Sequence, residues 1–158
     1  MSNSLKQFAL LLVTILLIAG CAGTAESLRS GASGSTTFTV TRPLPEVFNI
    51  IKEQALSCNP GTVSSNFTTF VGAIPVLASA NVTWYVNPIL SQDQKKAEIQ
   101  FFNHNGGIES HFMVVDLSAL PSNETQVKTY YKFSAWRSAA ENVEGWVKGT
   151  SHSCWIKS

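Results

Sequence analysis

Charge is scarce in this chain. Asp, Glu, Lys and Arg make up 13% of its 158 residues, and 11 basic side chains nearly cancel 10 acidic ones. A balance of that kind leaves no electrostatic footprint for nucleic acid. No polybasic run is present to attract anionic lipid either. Aspartate occurs only at Asp93 and Asp116, and histidine only at His104, His111 and His152. The chain has no Gly-x-Ser-x-Gly elbow, no Walker loop and no His-Glu-x-x-His pair. Gly106-Gly107 is too short to cradle a phosphate and reads as a turn. His152 and Cys154 stand two positions apart, which is not a zinc spacing, and no second ligand pair accompanies them. The expectation is a protein that is not an enzyme and carries neither cofactor nor metal. His111 with Glu109 is the nearest approach to an acid/base pair. Strand alternation predicts a polar, solvent-facing row for the two.

What the chain has is a hydrophobic start. Phe8 to Gly20 is almost wholly apolar and ends in Ile18-Ala19-Gly20-Cys21, with Lys6 as the only charged side chain before it. Thirteen residues of helix reach roughly 20 Å, short of the ~30 Å hydrocarbon core, and that length suits a secretory signal. With its small residues before Cys21, the segment resembles a bacterial lipoprotein signal with its lipobox. The resemblance implies that residues 1–20 are removed as a signal peptide. It also implies that the Cys21 thiol takes a diacylglycerol and that the new amino group is acylated. Two or more acyl chains, each buried methylene contributing about 0.8 kcal/mol, hold a protein to a bilayer without a protein span. Ala22, rather than Asp, follows the cysteine. By the enterobacterial sorting rule this implies an outer-membrane anchor facing the periplasm. No specific family is implied for the mature domain.

With Cys21 acylated, Cys58 and Cys154 are left. Two thiols in an oxidising periplasm most simply form one disulfide across their 96 positions.

Residues 21–35 read as the lipidated cysteine and a Gly/Ser-rich flexible linker with a reach of roughly 20 Å. Residues 36–158 read as one globular domain. Thr36–Thr41 alternates as a strand. Pro45 suits the first turn of a helix whose apolar stripe is Val47, Phe48, Ile51 and Ala55, closed at Asn59-Pro60-Gly61. Between 62 and 80 no single period holds, and one or two short strands with a turn near Gly72 are expected. Strands follow at Asn81–Val86, closed by Asn87-Pro88, then at Lys96–Asn103 and Ile108–Leu117, with an Asn-Gly hairpin turn between the last two. Thr125–Trp136 alternates over its whole length, with Val127, Thr129 and Tyr131 on one side. Ser138 and Glu141 match a capping box for a last helix with the stripe Ala139, Val143, Trp146 and Val147, ended by Gly149.

Helices at both ends of an antiparallel meander predict an α+β fold. It has a single antiparallel sheet with the N-terminal and C-terminal helices packed on one face. In element order alone, from Thr36 to Gly149, this resembles the helix-grip class, whose members enclose apolar ligands. Most aromatics belong in the core, but Tyr85, Phe102 and Trp136 fall opposite the apolar faces of their strands and form a candidate binding patch. Two readings remain open. One is a lipid-anchored protein of the periplasmic face that docks on another envelope protein and uses the membrane through its N-terminal lipid. The other is a binding module holding a small apolar ligand between the sheet and the C-terminal helix.

Overall fold

The computed structural model describes residues 23–71 and 74–154. The expected signal peptide, the Cys21 acylation site and Trp155 lie outside the described residues. The elements are α1 (Ala25–Gly31), β1 (Gly34–Val40), α2 (Leu44–Ser57), β2 (Thr62–Val71), β3 (Ile74–Leu90), β4 (Lys96–Asn105), β5 (Ile108–Leu120), β6 (Glu124–Tyr131) and α3 (Arg137–Lys148). The strands form one antiparallel sheet in the order β1-β6-β5-β4-β3-β2. From β1 at one edge the chain crosses as α2 to β2 at the other edge. It then returns strand by strand to β6 beside β1, and α3 packs back against α2 and the sheet. The fold is α+β.

Both long helices bury the stripe their spacing dictates. Leu44, Val47, Phe48, Ile51 and Ala55 of α2 pack with Ala139, Ala140, Val143, Trp146 and Val147 of α3 against Ile99, Phe101, Val115, Leu117 and Val127 of the sheet. This is the inner face. Pro45 sits in the first turn of α2, and Gly149 closes α3 at φ 69°, a left-handed conformation suited to glycine. Gly106 and Gly107 both take positive φ in the β4–β5 turn. Cys58, at the exit of α2, is bonded to Cys154 beyond α3, with Cα atoms 5.2 Å apart. The Trp146 indole N–H donates to the Ser153 carbonyl at 2.9 Å and holds the same segment down.

Four expectations need correction. The flexible linker is the first. Thr24 caps α1 by accepting from the Ser27 N–H at 3.2 Å, and Ala25 and Leu28 pack on Val114 and Tyr130. A seven-residue helix with two buried positions is too short for its period to show, but it covers the outer face of the sheet. Secondly, β3 does not close at Asn87-Pro88 but runs to Leu90. Pro88 lies where β3 has β4 on one side only, and a proline is tolerated on an edge. Thirdly, β6 stops at Tyr131. The Lys132 N–H goes to the Phe112 carbonyl, and Ser134–Trp136 form a 3-10 turn. Lastly, α3 starts at Arg137 with no side-chain cap, so the Ser138 capping box is not formed. Glu141 pairs instead with Arg137 at 3.0 Å.

A bulge decides which residues of β5 face outward. The β4–β5 register shifts between Phe101 and Phe102, so that Phe101 opposes Met113 and Phe102 opposes His111, with Phe112 the extra residue. Phe112 joins Met113, Val115 and Leu117 in the core. His111, Val114 and Asp116 are left on the outer face with Phe102, Gln100 and Glu98.

Candidate functional site

The outer face carries an aromatic row at the end where β4 turns into β5. Tyr85 of β3 and Phe102 of β4 are directly paired and stack with ring centroids 5.2 Å apart. His104 lies 4.8 Å from the Tyr85 ring, and His111 stacks on the other side of Phe102 at 5.0 Å. Tyr85 is exposed. His104 Nε2 meets Glu109 Oε2 at 3.0 Å, and His111 Nε2 reaches Gln100 Oε1 at 3.4 Å.

His111 does not stand in a solvent-facing row; it is 4% exposed. Gly23 pairs in parallel beside Ser110, and the His111 N–H donates to the Gly23 carbonyl at 3.2 Å. The same carbonyl oxygen lies against His111 Nδ1. β5 has no β6 partner before Met113, so the chain leading into α1 takes that place. Glu109 remains half-exposed, with an oxygen 3.5 Å from His111 Nδ1. An imidazole with both nitrogens engaged and its surface covered holds the N-terminal segment down.

Farther along this face, Arg29 of α1 clamps the helix to the sheet. Its Nε and Nη2 donate to the two Asp116 oxygens at 2.9 Å and 2.7 Å, and Nη2 also bonds Glu98. The hydrogen bond to Asp116 raises the guanidinium pKa above its ordinary value, with Glu98 adding to this against the cost of burial. Arg29, Ile89, Lys96, Glu98, Asp116 and Ser118 line an open groove of about 350 Å³. The partly buried Arg29 is thus bonded to both carboxylates of the groove, and the triad acts as a fastener. Among the described residues no group of three His, Cys, Asp or Glu side chains is placed to hold a metal.

Of the predicted patch, Tyr85 and Phe102 come together and Trp136 does not join them. Trp136 packs on the inner side, 4.4 Å from Phe112 and 5.9 Å from Trp84 in ring-centroid distance. The 3-10 turn carries it off the line of β6. His104, His111 and Arg29 complete this face; sequence reasoning missed Arg29 and read His111 as part of a solvent-facing row. Arg29 lay inside the presumed linker. His111 had only the alternation of β5 to place it, and the bulge breaks that alternation.

No protein-family model matches the chain, and no curated protein matches it. Among solved structures the chain is similar to the di-domain ARO/CYC StfQ from the steffimycin biosynthetic pathway. The match has 11% identity and a TM-score of 0.38, and it covers 76% of this chain and 44% of that one. The chain thus spans less than half the length of that protein. A likeness of this grade carries no argument about what the chain binds.

Proposed function

We propose that this chain is a non-catalytic lipoprotein of the bacterial cell envelope. It is acylated at Cys21, held to the outer membrane on its periplasmic side, and docks on another envelope protein through the outer face of its sheet. One observation carries the reading. Gly23 pairs beside Ser110, so the chain enters the described residues at the end of the sheet that bears Tyr85, Phe102 and His104. A tether two residues upstream therefore holds this row close to the membrane, where envelope partners are.

Packing supports docking over enclosure of a ligand. The space between sheet and α3 is filled by Val143, Trp146 and Val147 against Phe101, Leu117 and Val127, with Trp146 the most exposed of these at 4%. An apolar ligand placed there would have to displace close-packed side chains.

The test is site-specific photocrosslinking in the native envelope. A photoreactive residue at Tyr85 is expected to give one discrete adduct. The same residue at Thr39, exposed on β1 at the far edge, is expected to give none. Equal yields at both positions would overturn the reading.

A further inference from the structure

The sheet does not end where its neighbours end. β4 pairs with β3 only from Val82 to Leu90, whereas β2 pairs with β3 from Ile74 to Thr83. Residues 64–81 therefore leave the sheet as a two-stranded arm, eight residues up to Val71 and eight back from Ile74. Both flanks of this arm lack a strand partner among the described residues: β2 along its outer edge and β3 from Ile74 to Asn81.

The arm has an unusual composition for such an exposed edge. Natural edges are blunted with charge, yet no Asp, Glu, Lys or Arg occurs between Glu53 and Asp93. The register sorts the two strands into unlike faces. Val63, Ser65, Phe67, Thr69 and Val71 oppose Val82, Ala80, Ala78, Val76 and Ile74 on one face. Thr62, Ser64, Asn66, Thr68 and Phe70 oppose Thr83, Asn81, Ser79, Leu77 and Pro75 on the other. The second face is hydrogen-bonded across the strands, Thr62 to Thr83 at 3.0 Å and Ser64 to Asn81 at 2.7 Å. On the first, Val63 and Ile74 are exposed, Ile74 to 68%.

We infer that the arms of several copies of this chain pair edge to edge and close into a β-barrel that crosses the membrane. Length, pattern and edges argue together. Eight residues at about 3.3 Å each, tilted by roughly 40°, span about 20 Å, and the two β2–β3 pairs at the base of the arm bring this to about 25 Å, the height of the apolar band of an outer-membrane barrel. By register the first face is apolar but for Ser65 and Thr69, and the second polar but for Phe70, Pro75 and Leu77, close to the alternation such strands carry. A lone two-stranded ribbon is marginal in water. It cannot enter lipid by itself either, because its open edges would leave backbone groups unpaired. A bilayer alone satisfies the apolar face but not the edges. Neighbouring arms satisfy the edges, and the closed ring satisfies both. The smallest such barrels have about eight strands, so roughly four copies or more are needed. The arm leaves the sheet at the end where Gly23 enters, beside Asn105 and Ser110, so the tether and the barrel meet the membrane together. The membrane-facing placement rests on the anchor proposed above.

The test uses the full mature protein, purified in detergent and added to planar bilayers of phosphatidylethanolamine and phosphatidylglycerol. Stepwise conductance is expected, with an oligomer of at least four copies in mass photometry. Ala78→Arg puts a charge on the apolar face and is expected to reduce channel events by at least about thirtyfold. Ser79→Arg, one position on, puts it on the polar face. It is expected to keep the channels but shift the reversal potential in a KCl gradient toward anions. The Cys21→Ser protein, added from detergent, is expected to conduct as well, which separates this inference from the anchor. A monomer without conductance would overturn it, as would equal effects of the two arginines.

Discussion

Gly23 occupies the place beside Ser110 that β6 leaves vacant, and its carbonyl is met by both the backbone N–H and the imidazole of His111. The segment 23–31 is therefore tied to the sheet, first by this single bridge. Its second attachment is Arg29 on Asp116 and Glu98. Arg29→Ala removes one partner and leaves two partly buried carboxylates without their cation. A loss of about 1–3 kcal/mol is expected. Amide exchange should quicken over 23–31 and at His111 while the inner core stays protected. Unchanged exchange in that segment would contradict the clamp.

Cys58 and Cys154 close a loop across 96 positions. By the chain-entropy account, a loop of that length stabilises the folded state by about 4–5 kcal/mol. The Cys58→Ser, Cys154→Ser double variant should show a matching fall in unfolding free energy by urea titration. An unchanged midpoint would mean that the helices alone hold the C-terminal segment.

Gly34 lies beneath the Tyr131 ring. A Cβ at position 34 would sit 2.2 Å from the Tyr131 hydroxyl and 2.5 Å from the adjoining ring carbon. Glycine to alanine in a strand ordinarily favours the fold by a few tenths of a kcal/mol or more. Here the ring must give way, and Gly34→Ala is expected to cost about 1–3 kcal/mol. A thermal midpoint that rises would contradict this contact.

The two halves of the predicted patch should separate under mutation. Tyr85 is exposed on the outer face, so Tyr85→Ala should leave stability within about 0.5 kcal/mol while lowering the crosslink yield at neighbouring positions. Trp136 packs on Phe112 and Trp84, and Trp136→Ala should cost about 3 kcal/mol. Equal stability losses would place both rings in the core.

Much of the inner face was legible in the chain. The stripes of α2 and α3 are regular over three turns, and Val127, Thr129 and Tyr131 alternate as a half-buried strand must. The outer face was not legible, for local reasons. α1 has one buried pair, Ala25 and Leu28, within a segment whose composition is that of a linker. The bulge at Phe101/Phe102 turns Phe112 inward and sends His111 outward, and no pattern in β5 announces it. The strands at 62–83 defeated a period search because their apolar face is interrupted by Ser65 and Thr69, and only the pairing register reveals it.

The proposed place of this chain at a membrane depends on the tether at Cys21. Intact-mass analysis of the protein extracted from bacterial membranes tests it directly. The expected species begins at Cys21 and carries the added mass of a diacylglyceryl group and an amide-linked acyl chain. An unmodified chain that begins at Met1 and is recovered from the soluble fraction would contradict it.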